Sequence, residues 1–305
     1  MAIPTSRTSE AAHLTIRTDA CPGCGLCVSV CKDYGLRLEN GKVIQADTPL
    51  FGCVGCGHCM AVCPAGAIEV HGRTLTPEDI SPSPPRDAAA SYDRMFALLR
   101  RRRSIREFLA SPVEAPFIEK ILAAASTAPS GLPPSDVHVL VLDSREKNKA
   151  FALDFCTYLK GMRWLVSPWF LTLMRPFWGK ANDTLFRNFV KPTLAAFTAH
   201  MDKGINIVTY DAPLAIYFYG SPYADPADPI IAATYAMLSA ESLGLGTCMI
   251  GSIHPLIQYG KRAKSFRERH GIKHASREGL FVIFGHPAVA YDKSIQRTFA
   301  SVIYA

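Results

Sequence analysis

The sequence predicts an α+β protein in which a small cysteine-rich domain precedes a larger domain of helices and strands. Three observations support this. A cysteine pattern occurs twice near the N-terminus, as CPGCGLCVSVC at residues 21–31 and as CVGCGHCMAVC at residues 53–63. A proline- and serine-rich segment follows, and beyond it runs with helical periodicity alternate with short apolar runs. A chain of 305 residues, 49% of them hydrophobic, can bury the cores of two such domains.

The first domain is an internal repeat, because each cysteine run is followed by a short apolar run, YGLRLENGKVI and then AGAIEVHG. We place this domain at residues 1–76. Pro77, Pro82, Pro84 and Pro85 lie among serines and predict an extended linker at residues 77–91. The second domain then covers residues 92–305.

Helices and strands of the second domain follow from its hydrophobic pattern. Apolar residues recur three or four apart in YDRMFALLRRR, EAPFIEKILAAASTA and PIIAATYAMLSAESLG, which predicts three helices. Short apolar runs bounded by Gly, Pro or Asp predict strands at residues 137–143, 212–220, 247–251 and 279–285. An aromatic-rich section predicts a helical insertion at about residues 151–205. Trp164, Trp169, Phe170 and Phe177 in this section could form a lid over an active site or ordinary core packing.

The charge of the chain is unevenly distributed. The net charge is +7, yet residues 1–80 hold six Lys and Arg against eight Asp and Glu, and the remainder holds 27 against 18. The basic part suits an anionic, phosphate-bearing cofactor. We expect no nucleic-acid partner, because no nucleic-acid-binding motif occurs.

The N-terminus does not predict export, since it lacks the basic and then apolar layout of a secretory signal. The most apolar stretch, residues 164–178, is interrupted by Pro168, Arg175 and Pro176 and is too short for a membrane span. We therefore expect a cytoplasmic protein without a membrane span.

Eight of the ten cysteines lie in the two runs, with the CxxCxxCxxxC spacing of iron–sulfur ligands. A pair of zinc knuckles is the alternative, since zinc also binds four cysteines at CxxC spacing. Glycines within the runs favour loops that turn backbone N–H groups towards cluster sulfurs. Cys156 and Cys248 stand alone in apolar segments and are interpreted as core residues.

The region of the two runs resembles the bacterial two-cluster ferredoxins, which implies a βαβ repeat and two 4Fe-4S clusters. In that family the fourth cysteine of each run binds the other cluster. The resemblance therefore implies one cluster on Cys21, Cys24, Cys27 and Cys63, and a second on Cys53, Cys56, Cys59 and Cys31. Lys32 stands where the family usually has a proline, which Pro64 supplies in the second run.

A run of basic residues, RRRRSIR at residues 100–106, follows the first helix of the second domain. A solvated helix end is one interpretation. Guanidinium groups and a hydroxyl on one turn would instead hold a phosphate bidentately and reach a ribityl chain.

These residues resemble the Arg-x-Ser-x-basic motif of the nitroreductase family of FMN enzymes, and the resemblance extends over most of residues 92–305. It implies a central, mainly antiparallel sheet flanked by helices, and a homodimer with FMN at its interface. The implied FMN residues are Arg102, Arg103, Ser104 and Arg106 in the motif, Pro129, Ser130 and Gly131 in a loop that covers the flavin from the partner subunit, Ile250, Gly251 and Ser252 at its reactive edge, and Arg297 at the phosphate. The family loop usually continues with Asn and Gln, whereas this chain has Leu132, Pro133, Pro134 and Ser135.

The two resemblances imply an FMN-dependent oxidoreductase in which the clusters exchange electrons with the flavin. The flavin would reduce a small organic acceptor such as a nitroaromatic, a quinone or an activated alkene. A redox protein is an expected donor, and no catalytic side chain is predicted. The alternative is a non-catalytic electron-transfer or redox-sensing protein that acts on a protein partner, and the direction of electron flow stays open.

Overall fold

The computed structural model describes residues 3–304. Its first part is a repeat of strand, helix and strand, in which β1 pairs antiparallel with β4 and β2 pairs antiparallel with β3. The elements are β1 (His13–Ile16), α1 (Leu26–Val30), β2 (Leu36–Glu39), β3 (Lys42–Gln45), α2 (His58–Val62) and β4 (Ile68–His71). The predicted repeat is thus a βαβ unit built twice.

The two copies share their local backbone. Gly25 precedes α1 and Gly57 precedes α2, each with φ of 73°, in the left-handed region that glycine adopts without strain. Each helix ends at the fourth cysteine of its run, Cys31 or Cys63, where the backbone becomes extended. The repeated spacing therefore produces a repeated loop and helix.

The segment between the two parts has little regular structure. It contains short 3₁₀ turns at Pro77–Asp79 and Arg86–Ala88, and residues 81–91 are all exposed.

The second part is a four-stranded sheet between helices. Its strands lie in the order β5, β6, β8 and β7, and all neighbours are antiparallel, as expected from the family resemblance. The elements are α3 (Tyr92–Arg101), α4 (Ala115–Ser126), β5 (Val137–Leu142), α5 (Arg145–Lys160), α6 (Pro168–Leu185), α7 (Lys191–Met201), β6 (Leu214–Gly220), α8 (Ala227–Ser242), β7 (Gly246–Ile250), α9 (Lys261–Arg269) and β8 (Gly279–Gly285). The four predicted strands and three predicted helices are all present.

The two central strands, β6 and β8, are buried along their whole length. Successive side chains of a strand point to opposite faces, so β6 contributes to two cores. Ala215, Tyr217 and Tyr219 belong to the core on the side of α5 and α9, whereas Ile216 and Phe218 belong to the core on the side of α4 and α8. Residues Cys156 and Cys248 lie in the first of these cores, as predicted.

The aromatic-rich section forms α5, α6 and α7, and α6 is kinked at Gly179, where φ is 75°. Trp164, Trp169 and Phe177 are exposed, and Phe170 lies between the two tryptophans at 5.0 and 5.7 Å between ring centroids. Core packing therefore does not account for these three exposed side chains. Among residues 3–304, no helix is both long and apolar enough to cross a membrane.

Candidate active site

The eight cysteines of the two runs are free thiols that fall into two groups. Burial and the neighbouring charges of Cys53, Cys56 and Cys31 together raise the pKa of Cys59 to about 12. Burial also raises the pKa of Cys27, and there the neighbouring charges are those of Cys63 and Cys21. The fourth cysteine of each run thus lies with the other run.

The backbone around the thiols fits the cage of an iron–sulfur cluster. Gly23 has φ of 74°, and a Cβ at this position would lie 2.0 Å from the carbonyl oxygen of Gly41, so the loop passes where only glycine fits. The N–H of Ala67 points at the sulfur of Cys63 at 3.2 Å. Within residues 3–304 no group of metal-binding side chains is arranged around a single ion. A cluster instead takes one thiolate at each of several irons.

A cavity of about 630 Å³ lies where α3 ends. Arg100 and Arg103 line it and bond to the C-terminal segment, Arg100 to the hydroxyl of Ser294 at 2.9 Å and Arg103 to the carbonyl of Lys293 at 3.0 Å. Glu241, near the end of α8, closes another side and lies 3.7 Å from Arg101. The cavity is therefore framed by cations, of which Arg100 is held by a hydroxyl and Arg103 by a backbone carbonyl.

Arg102 lies between Arg101 and Arg103, which line this cavity, and is partly buried; within residues 3–304 its Nη1 has no hydrogen-bond partner. Burial lowers the pKa of Arg102, and the like charge of Arg297 lowers it further. A guanidinium with a buried, unpaired N–H next to a second guanidinium is costly unless an anion binds both. The residues thus fit a phosphate, and the charge of Arg297 acts on Arg102 of the motif.

The motif itself is extended instead of forming a helical turn, in contrast to the interpretation from sequence. Helix α3 ends at Arg101, and Ser104 then forms a parallel bridge to Thr247 in β7. The N–H of Ile105 donates to the carbonyl of Thr247 at 2.9 Å. This pairing aligns Ser104 and Arg106 with β7, whose end leads directly to Gly251 and Ser252.

The loop with Pro129, Ser130 and Gly131 lies away from the arginine cavity. The N–H of Gly131 donates to the carboxylate of Asp228, at the start of α8, at 3.0 Å. Ser130 and Gly131 line a different cavity, of about 530 Å³, together with the cysteines of the second group. Pro129 lines a third cavity, of about 360 Å³. The structure therefore does not bring the loop and the arginine motif of one chain together.

Two buried side chains that the sequence interpretation missed join the cysteine domain to the second domain. Arg73 is only 5% exposed and donates to the carbonyl oxygens of Val54 at 2.9 Å, Pro133 at 2.8 Å and Glu10 at 2.8 Å. Asp136 accepts bonds from the backbone N–H of Ser6 at 2.8 Å and from the hydroxyls of Ser6 and Ser221. No pattern in the sequence marks either residue, because their partners are distant along the chain.

Family comparisons identify both parts of the chain. The profile of the nitroreductase family matches residues 99–286, more than half of the chain. The profile of the 4Fe-4S dicluster domain matches residues 15–68. A comparison with curated proteins returns no match.

Solved structures resemble the second part. A nitroreductase with bound FMN from Bacteroides fragilis is 16% identical and has a TM-score of 0.50, with 69% of this chain and 98% of that chain covered. A nitroreductase with bound FMN from Desulfitobacterium hafniense is 21% identical and has a TM-score of 0.49, with 69% and 97% covered. At this identity, the first of these likenesses indicates the fold. The chain therefore belongs to the nitroreductase family of flavin-dependent oxidoreductases and carries a 4Fe-4S dicluster domain ahead of its nitroreductase domain.

Proposed function

We propose that this protein is an FMN-dependent oxidoreductase in which two 4Fe-4S clusters exchange electrons with the flavin, and that the flavin reduces a small organic acceptor. The observation that carries the proposal is the pair formed by Arg102 and Arg297. Their like charges and the unpaired Nη1 of Arg102 call for an anion beside the motif. The phosphate of FMN has the charge and the acceptor oxygens that this site requires.

The cysteine groups support a two-cluster front domain. We assign Cys21, Cys24, Cys27 and Cys63 to one cluster, and Cys53, Cys56, Cys59 and Cys31 to the other. The neighbouring charges that act on Cys27 and Cys59 support this crossed assignment. We propose the cluster domain at residues 1–76, the linker at 77–91 and the flavin domain at 92–305. Thiolates reserved for clusters suit the reducing cytoplasm.

We propose the flavin-binding roles from the positions of these residues in the family's sequence motifs. Arg102, Arg103 and Arg297 would hold the phosphate, and Ser104 and Arg106 would reach the ribityl chain. The backbone of residues 250–252 would face the reactive edge of the ring. Pro129, Ser130 and Gly131 would cover the flavin of the partner subunit in a homodimer. The apolar side chains of Leu132 and Pro133 leave this cover with fewer polar contacts than the family loop.

A bound flavin can take up single electrons from a cluster and deliver a hydride to an acceptor, while the protein supplies position and electrostatics. A nitroaromatic, a quinone or an activated alkene would fit this chemistry, and a redox protein is the proposed donor. No side-chain nucleophile is required.

The first test is an anaerobic assay of iron, sulfide and flavin on purified protein. We expect about eight irons and about one FMN per chain, as two four-iron clusters and one flavin require. The reduced protein should then be mixed with nitroaromatics, quinones and enones, and oxidation of the flavin should be followed by absorbance. Zinc in place of iron, or a protein without flavin, would overturn the proposal.

A further inference from the structure

The proposed flavin residues form two sets at opposite ends of helix α8. Gly131 bonds to Asp228 in the first turn of this helix, whereas Glu241 in its last turn lines the arginine cavity. The rise of about 1.5 Å per residue separates Asp228 from Glu241 by about 20 Å. One flavin cannot contact both sets within one chain, because only a short ribityl chain joins its phosphate to its ring.

The arginine residues and the loop residues also line two separate cavities, in agreement with the distance between the two sets. Arg103 lines the cavity at the C-terminal end of α8, and Ser130 and Gly131 line a separate cavity at its N-terminal end. A complete flavin site therefore needs the arginines of one chain and the loop of another.

The cluster domain lies at the loop end of α8. The cavity lined by Ser130 and Gly131 is also lined by Cys31, Cys53, Cys56 and Cys59. Arg73 bonds both to Val54, which lies between Cys53 and Cys56, and to Pro133, two residues after Gly131. The second cysteine group is thus held against the loop and away from the arginine cavity of its own chain.

We propose that electrons cross between subunits, so that the clusters of one chain serve the flavin held by Arg102 and Arg297 of the partner subunit. The cluster on Cys31, Cys53, Cys56 and Cys59 is the one next to this flavin, and the cluster on the other four cysteines is the outer one. This inference rests on the proposed function. In a two-fold symmetric dimer, each chain gives electrons to its partner's flavin and receives them at its own.

Electrons and protons balance in this route. An external low-potential reductant gives electrons to the clusters one at a time. Two electrons then pass to one oxidised flavin, which takes two protons from water and becomes fully reduced. The clusters return to their oxidised state, and no bond in the protein forms or breaks.

Mixed dimers test the route. One chain carries Arg102→Ala and Arg103→Ala, which remove flavin binding at its own cavity, and its clusters are intact. The other chain carries Cys53→Ala and Cys56→Ala, which remove the cluster next to the loop, and its arginines are intact. Two different affinity tags allow the mixed dimer to be purified. Its FMN content is measured by absorbance, and FMN reduction by limiting dithionite is followed under anaerobic conditions.

We expect the mixed dimer to hold half the FMN of the wild-type dimer. We also expect its FMN to be reduced in the same fast phase, through the clusters, that we expect for the wild-type protein. Homodimers of the cysteine variant should bind FMN but lack the fast phase. Retention of FMN without the fast phase in the mixed dimer would overturn the cross-subunit route and leave the proposed function standing. An equal rate of FMN reduction in wild-type and cysteine-variant homodimers would overturn both the cross-subunit route and the proposed function.

A second pair of chains covers the case in which the cysteine variant does not fold. Arg73→Gln keeps every cysteine and loosens the contact between the cluster loop and Pro133, together with the bond from Arg73 to Glu10 inside the cluster domain. We expect the fast phase to be lost in Arg73→Gln homodimers and restored in mixed dimers with the arginine variant. Loss of the fast phase in the mixed dimers as well as in the Arg73→Gln homodimers would contradict the cross-subunit route.

Discussion

At the scale of single residues, the proposed flavin site contains a guanidinium, that of Arg102, with a buried N–H that an anion would satisfy. We expect Arg102→Ala to weaken FMN binding by about 2 kcal/mol, or about 30-fold in Kd, because a charge-assisted hydrogen bond to phosphate is lost. Equilibrium titration of the deflavinated protein with FMN measures this change. Arg94→Ala is the matched control, because Arg94 is an exposed arginine of α3 that does not line the cavity. Equal FMN affinity in the Arg102 variant and in the wild type would remove Arg102 from the site.

A second residue-scale prediction concerns the pH dependence of stability at Asp136. Burial acts to raise the pKa of Asp136, but the hydrogen bonds from Ser221 and Ser6 outweigh it and lower the pKa. A carboxyl with a lowered pKa stabilises the fold above its unfolded pKa of about 3.9, and this stabilisation is lost as the pH falls through the folded pKa. We therefore expect the melting temperature to fall below about pH 4.

Asp136→Asn should reduce stability at neutral pH and flatten this acid dependence, as measured by thermal unfolding between neutral and acidic pH. Asp87→Asn is the control, since Asp87 lies exposed in the linker. An acid profile that is the same in the Asp136 variant and the wild type would show that the loss of stability arises elsewhere.

At the scale of elements, each cluster loop depends on glycines that cannot be replaced. We expect Gly23→Ala to remove the first cluster, because the added Cβ would lie 2.0 Å from the carbonyl oxygen of Gly41. Gly41→Ala is a matched control: its φ is 71° but a Cβ there meets no atom within 4 Å, so only backbone strain of about 1–2 kcal/mol is added. Iron analysis should give about four irons per chain in the first variant and about eight in the control.

The exposed aromatic side chains of α6 carry another element-scale prediction. Trp169 is exposed beside the partly buried Phe170. If the section acts as a lid that excludes water from the flavin, Trp169→Ala should change the rate or the preference for different acceptors while FMN content stays constant. Tyr259→Ala, at another exposed aromatic residue, is the control. Unchanged turnover and acceptor preference in a fully flavinated Trp169 variant would refute the lid.

At the scale of the whole molecule, the two domains are joined by few polar contacts, among them the bond from Arg73 to the carbonyl of Pro133. Arg73→Gln should weaken domain docking by about 2 kcal/mol, because the charged hydrogen bond to the carbonyl of Pro133 is lost. Faster proteolysis within residues 77–91 and slower flavin reduction through the clusters would report this loosening. Arg17→Gln is the control, since Arg17 is exposed and bonds to Gly66 within the cluster domain. Wild-type values in both assays would rule out a docking role.

Much of the fold follows from local patterns. The cysteine spacing and the glycines between the cysteines specify the cluster loops, because the backbone conformation of so short a loop depends mainly on its own residues. The apolar runs that become β6 and β8 are so continuously hydrophobic that burial on both faces is their only favourable environment. The arginine motif and the strand after α8 are each one contiguous run, so the sequence alone marks their residues.

The sequence by itself therefore determined the strands of the sheet, and it predicted the cluster ligands and the residues of the arginine motif. Tertiary structure alone decided how these parts face one another. It places Arg297 beside Arg102, Arg73 between the cluster loop and Pro133, and Gly131 at the opposite end of α8 from the arginine cavity. The physical reason is that a spacing within one loop constrains only that loop, whereas contacts between distant segments depend on how helices pack on the sheet.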